Sequence, residues 1–227
     1  MSCREGLVKQ DRHTFPLCRI CFTSLIPCPT LCSNCGSPLC LRNAEKICFR
    51  PWVQCPEIHS YSARYLLFER CFEVLKKWKI RGGVLFDQAI LKSNDSLILI
   101  WKEFKADAVV PIPQRYIRAW KMRGSRAEKI AFWISCQMKI PTLSLLQFPV
   151  SIRNKKRQAE LSLEERFKNQ IEFLIDSKSL PRGGRLILVD DFMTSGRTLR
   201  LAARSLRNSG VSSIHVFALG VKIFRVN

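Results

Sequence analysis

The chain has 227 residues with 38 basic and 18 acidic side chains, a formal charge of +20, and is long enough to bury a full core as one domain or one domain plus a small module. Positive charge on that scale, spread along the chain, makes polyanions the natural partners. The first 17 residues lack the apolar core of a signal peptide and no run of 18 apolar residues follows, so a spanning helix is excluded and a soluble, cytoplasmic chain without membrane insertion is expected.

Residues 1–57 are rich in Cys and Pro and carry no sustained helical or strand period, which predicts a small loop-rich module. Nine of the eleven cysteines lie from Cys18 to Cys71, a pattern that favours metal over disulfides in a reducing compartment. Cys18/Cys21 and Cys32/Cys35 form two C-x2-C pairs ten residues apart. That spacing suits four thiolates around one structural Zn2+, with no open coordination position for catalysis. Cys28, Cys40, Cys48 and Cys55 complete no second pair, and His13 and His59 are read as incidental. Cys136 reads as ordinary core.

Residues 58–227 form the main domain. In "SARYLLFERCFEVLKKWK", Leu67, Cys71, Val74 and Trp78 recur at helical spacing, with Phe68, Phe72 and Leu75 widening the stripe; this predicts a helix from about Ser62 to Gly82-Gly83. Four apolar runs follow, at 106–113, 142–148, 185–191 and 213–221, and each reads as a strand. Between the first two, "SRAEKIAFWISCQM" is a helix capped by Ser125 with Glu128 at capping-box spacing,. Between the last two, "TLRLAARSLRNSG" puts Leu199, Ala202, Ala203 and Leu206 on one face and ends at Gly210,. Apolar strands alternating with helices imply an α/β fold, a mainly parallel sheet covered on both faces, with ligands beyond the carboxyl ends of the strands.

The stretch "LILVDDFMTSGRTLR" places Asp190 and Asp191 at such a carboxyl end and a Thr194-Ser195-Gly196-Arg197-Thr198 loop at a helix entrance. Converging backbone N–H groups, the helix dipole and hydroxyls suit phosphate. The carboxylates only accept hydrogen bonds, so they suit vicinal ribose hydroxyls or Mg2+. Together they fit a ribose 5-phosphate. The plainer alternative is a strand terminated by two acids.

Basic residues gather around aromatics in "KKWKIR", with Lys76, Lys77, Lys79 and Arg81, and in "RYIRAWKMRGSRAEK", with Arg118, Lys121 and Arg126. Cations beside stacking rings are what binding of single-stranded DNA without sequence preference requires. A core role for Trp78 and a solubilising role for the charges are the alternatives.

"LILVDDFMTSGRT" resembles the phosphoribosyl pyrophosphate (PRPP) loop of type I phosphoribosyltransferases. With the Cys pairs, "KIRGG", "VVPIP", "RGSRAEKIA" and "RQAELSLEERFKN", the whole chain resembles the competence-protein ComF family, which joins a Cys-rich zinc module to that fold. The family usually reads Thr-Thr-Gly at Thr194-Ser195-Gly196, and Arg-Gly-Phe-Asn-Gln where this chain reads Arg123-Gly124-Ser125-Arg126-Ala127. The resemblance implies Mg2+-PRPP as ligand, with the pyrophosphate near Ile112 to Arg115 and Arg123. It also implies a basic lid at "SIRNKKRQ", including Arg153, for which a solvated loop is the alternative. It further implies a role in handling DNA, alongside other DNA-uptake proteins; the alternative is an active phosphoribosyltransferase moving phosphoribose to a nitrogen acceptor.

Overall fold

The computed structural model describes residues 19–28, 30–38, 40–42, 45–47, 55–81, 87, 90–91, 95–114, 125–148 and 173–222. In chain order these contain a short helix α1 (Arg19–Thr23) and a small hairpin of β1 (Cys40–Arg42) and β2 (Glu45–Ile47), followed by β3 (Ser60–Leu67), α2 (Glu69–Arg81) and α3 (Asp95–Phe104). Then come β4 (Ala108–Pro111), α4 (Arg126–Met138), β5 (Leu146–Gln147), β6 (Leu174–Ile175), β7 (Arg185–Met193), α5 (Arg197–Asn208) and β8 (Ser213–Lys222).

The main sheet has the order β3-β8-β7-β4, and every neighbouring pair is parallel. Its central strands are apolar on both sides, as a doubly covered sheet demands. Leu186 and Leu188 of β7 face a core shared with Leu199, Ala202, Ala203 and Leu206 of α5, whereas Ile187 and Val189 face α2, α3 and α4 through Leu75, Trp78, Trp101 and Ile130. The expected helix faces of α2 and α5 are therefore the buried ones. Gly210, at φ +101°, follows the end of α5 as expected.

Three sequence expectations are corrected. The segment from Ser60 to Leu67 is a strand, and the helix starts only at Glu69. Ser60 and Ser62 both hydrogen-bond His215, a period of two that the helical stripe, beginning at Leu67, does not touch. The run 142–148 is not a strand of the main sheet. It makes a bridge from Thr142 to Val109 and then a two-residue ribbon of β5 with β6. Cys136 is exposed, because α4 buries Ile130, Ala131 and Ile134 on its opposite side.

Residues on both sides of the expected 57/58 boundary share one core: Leu31, Cys55 and Ile58 pack with Tyr61 and α5. The chain at 26–28 also runs antiparallel along β3, with Cys28 N–H donating to Arg64 O at 2.9 Å and Leu66 N–H to Ile26 O at 2.9 Å. Among the described residues, no helix is long and apolar enough to cross a membrane.

Candidate functional site

The site grows from the end of β7. Leu186 to Val189 are wholly buried, and the next two residues, Asp190 and Asp191, emerge half-buried. Each carboxylate is oriented locally: Asp191 N–H donates to Asp190 Oδ1 at 2.8 Å, and Phe192 N–H donates to Asp191 Oδ1 at 2.7 Å. The chain then turns at Gly196, whose φ of +69° and ψ of 4° are left-handed, into α5. Glycine adopts that conformation without the strain a Cβ would add. The turn is braced by Arg200, which donates from Nη1 to Ser195 O at 2.8 Å and from its backbone N–H to Gly196 O at 3.0 Å.

The acid pair opens on a cleft of about 210 Å³ at the carboxyl ends of β4 and β7. Ile112, Pro113 and Gln114 close one side and Phe148 another. Ser125, Arg126 and Ala127 enter from the start of α4, and Thr198 enters from the start of α5. Two helix N-termini therefore point partial positive charge at one hollow that holds two carboxylates. Ser125 is the expected cap, its Oγ accepting from Glu128 N–H at 3.3 Å.

Of the residues expected to bind PRPP, the structure gathers Asp190, Asp191 and Thr198 around this cleft. Thr194, Ser195 and Gly196 instead line a tight crevice against Cys35, Gly36 and Ser37. Arg197 is exposed at the first position of α5. Arg115, Arg123, Arg153 and the rest of the expected lid lie outside the described residues.

Of the expected nucleic-acid contacts, Lys76 and Lys77 are exposed on α2. Lys76 Nζ stands 5.9 Å from the Phe72 ring centre, and Phe72 lies 6.2 Å from Phe192. Lys79 and Arg81 occupy the last turn of α2, while Arg118 and Lys121 lie outside the described residues.

Arg126 is corrected. Its side chain is only 3% exposed, which leaves no outer surface for a nucleic-acid contact. The guanidinium lies over the Trp78 ring, 5.4 Å from its centre, and 4.0 Å from Asp87 Oδ1. Asp87 is itself fixed by Trp78 Nε1–H at 2.7 Å and by Lys129 Nζ at 2.9 Å. Trp78 fills the α2 stripe and is wholly buried, the core alternative. Basic composition alone misassigned Arg126; the usable signal was its place in the first turn of a capped helix, one residue after the cap.

The cysteines divide. Cys32 and Cys35 are buried in one turn, closed by Gly36 N–H donating to Cys32 O at 2.8 Å and Cys32 N–H to Ser37 O at 2.9 Å, with Gly36 at φ +67°. Such a turn has the shape of half a tetrahedral thiolate site. Cys21 packs instead against the cluster of Cys71, Leu75 and Trp78, and Cys18 lies outside the described residues. Among the described residues, no three His, Cys, Asp or Glu converge as a metal requires; the expected fourth ligand, Cys18, is not one of them. Burial pushes the Cys28 and Cys55 thiols up to about 12, and both are neutral at physiological pH.

The segment that carries the acid pair and the loop after it is similar to known proteins. Residues 145–222 match the phosphoribosyl transferase domain family. Competence protein F of Haemophilus influenzae is 28% identical over 116 residues, spanning 50% of this chain and 49% of that protein. The DNA utilization protein YhgH of Salmonella typhi is 22% identical over 220 residues, 89% of each. The chain is a ComF-like protein of phosphoribosyltransferase fold. Among solved structures, the purine phosphoribosyltransferase from Pyrococcus horikoshii is similar at 18% identity and a TM-score of 0.36, over 62% of this chain and 82% of that one. The family match covers β5, β6, β7, α5 and β8, so in this ComF-like chain the acid pair and the loop after it fall inside the matched segment.

Proposed function

We propose that the cleft of this ComF-like protein binds PRPP or a related ribose phosphate together with Mg2+, and that the chain handles single-stranded DNA during DNA uptake, acting in the cytoplasm. The observation that carries the ligand is the convergence of Asp190, Asp191 and Thr198 on one hollow at two helix entrances. Ribose hydroxyls donate to the carboxylates, and the start of α5 takes the 5-phosphate. The carboxylate oxygens also suit Mg2+, which keeps several waters and bridges to phosphates. When bound, the metal would neutralise charge on a leaving pyrophosphate.

The DNA role rests on the +20 charge, on Lys76 and Lys77 exposed beside Phe72, and on the names of relatives concerned with competence and DNA utilization. A paired titration tests both halves. Mg2+-PRPP is expected to bind the wild type and to lose affinity on Asp190→Asn/Asp191→Asn, while single-stranded DNA affinity survives that change. PRPP affinity indifferent to both substitutions would sink the site. Turnover is read in the same assay by pyrophosphate release with nitrogen heterocycles supplied as acceptors.

Zinc on Cys18, Cys21, Cys32 and Cys35 is also proposed, supported by their spacing and by the Cys32–Cys35 turn. Elemental analysis of the purified chain is expected to find about one zinc per chain, lost on Cys32→Ser; a metal-free, folded wild type would end the idea.

A further inference from the structure

The outer face of α5 carries a row of arginines that does not line the cleft. Arg197, Arg200, Arg204 and Arg207 follow one another at steps of three, four and three residues, which keeps them within an arc of about 80° along about 15 Å of helix. Arg197, Arg204 and Arg207 are exposed and Arg200 is half-buried, while Leu199, Ala202, Ala203 and Leu206 bury the opposite side against the sheet.

The row stands against its local electrostatics. α5 contains no Asp or Glu, so successive arginines repel one another with no carboxylate of the helix between them. Arg197 and Arg200 also sit in the first turn, where the helix dipole disfavours cations,. A carboxylate meets the row from outside the helix: Glu57 Oε1 accepts from Arg204 Nε at 3.1 Å, and Glu57 Oε2 accepts from Cys55 Sγ at 3.1 Å. Arg207 donates from Nη1 to Val211 O at 2.7 Å and also to Ser212 O. In Arg204 and Arg207 these bonds occupy one nitrogen and leave the rest of the planar fork for an external acceptor.

We infer that the outer face of α5 is a track for the phosphodiester backbone of single-stranded DNA. The inference rests on the DNA-handling reading above and gives it a surface across the sheet from Lys76 and Lys77: α5 packs on the Leu186 and Leu188 side of β7, and α2 on the Ile187 and Val189 side. Guanidinium forks match phosphate oxygens through paired N–H donors. One narrow row suits one backbone, whereas a duplex presents two. A bilayer is a poor fit, because an interfacial helix needs an apolar side for the lipid and that side of α5 is already buried,. The helix carries no aromatic side chain, so the contact is to phosphate and is independent of sequence.

The test follows oligothymidylate binding by fluorescence anisotropy across a salt series. The variants are Arg204→Gln, Arg204→Gln/Arg207→Gln and Glu57→Gln; Arg200 is left alone because it braces Ser195 O. The controls are Lys102→Gln and Glu103→Gln, exposed on α3 at the other side of the sheet. Arg204→Gln should weaken binding about threefold to tenfold and the double variant further, the slope of log affinity against log salt falling by about 0.7 for each arginine. Glu57→Gln, which releases Arg204 and keeps an acceptor for Cys55, should tighten binding about threefold, with the α3 controls within about 1.5-fold of wild type. Equal effects of the α3 and α5 variants would reduce the row to net charge and overturn the inference. Binding that falls on Lys76→Gln/Lys77→Gln and ignores the α5 variants also overturns it, and leaves the DNA-handling reading standing. A wild type that binds no oligothymidylate overturns both. Preference for duplex DNA or for phosphatidylglycerol vesicles over oligothymidylate overturns the choice of partner.

Should the double variant fail to fold for want of the Arg207 bonds, the wild type still decides. Peptide mapping after phenylglyoxal treatment should find Arg197 and Arg204 protected by oligothymidylate and unprotected by thymidine monophosphate at equal phosphate concentration; modification indifferent to the oligonucleotide overturns the assignment.

Discussion

Gly36 and Tyr61 are in such close contact that a Cβ built on Gly36 would stand 2.6 Å from the Tyr61 ring, with Met193 Cε at 3.1 Å. Gly36 also holds a left-handed φ of +67°. Gly36→Ala therefore meets both strain and collision, and a loss of about 3 kcal/mol is expected. Gly183 shares the conformation, at φ +69°, with nothing within 4 Å of its Cβ position. Gly183→Ala should cost only the strain, about 1 kcal/mol. Urea unfolding of the two variants separates the terms, and similar losses would contradict the tight seam.

Acid stability reports on His215. It is fully buried between Ser60 Oγ and Ser62 Oγ, both at 2.7 Å, against the Phe104 ring. Burial, helped by the nearby His59, pulls its pKa down from 6.5 to about 3. The unfolded chain thus binds a proton that the native state refuses, and stability falls as pH drops from about 6.5 towards 3, by up to about 1.4 kcal/mol per pH unit. Above pH 7 this contribution is complete. Wild type should lose more stability between pH 7 and 5 than His215→Gln does, whatever the variant's starting stability; parallel pH profiles would rule this out.

Asp87 ties three elements together through Trp78, Lys129 and Arg126. Asp87→Ala should destabilise the fold by about 2–3 kcal/mol, since a partly buried charge-assisted network loses its acceptor. Asp87→Asn can keep the Trp78 bond and should cost less. Thermal melting of both checks the order.

DNA binding is expected to weaken steeply with salt, because phosphate contacts release counterions. Lys76→Gln/Lys77→Gln should lower the slope of log affinity against log salt by about 1–2 units while leaving PRPP binding unchanged. A slope untouched by that pair would move the DNA surface elsewhere.

The parts of the fold legible in the sequence were those with a local signature. The α5 stripe of Leu199, Ala202, Ala203 and Leu206, the Ser125 cap and the β7–loop–α5 unit each declare themselves within a dozen residues. What stayed hidden depends on distant partners. β3 contains Tyr, Arg and Leu at spacings compatible with a helix, and only its pairing with β8 and the His215 bonds make it a strand. Arg126 reads as one more surface cation until Trp78, forty-eight residues earlier, and Asp87 fold over it. In the cleft, the acids were evident from their place at a strand end, and Gln114 falls in the stretch expected near the pyrophosphate, while Phe148 carries no motif and is brought in by topology.

The antiparallel run of Ile26 to Cys28 along β3 has a practical meaning for cutting the protein. At the other margin, the chain at 141–143 runs parallel to β4, with Val109 N–H donating to Pro141 O at 2.9 Å and Leu143 N–H donating to Val109 O at 2.8 Å. Both outer strands of the sheet are thus sheathed by irregular chain, which blunts the row of open amides that would otherwise recruit a second molecule. Removing the Cys-rich segment to obtain a minimal ligand-binding domain would unsheathe β3 from Arg64 to Leu66. The trimmed protein would be sticky before it was small, and its solubility, more than its ligand affinity, would register the loss.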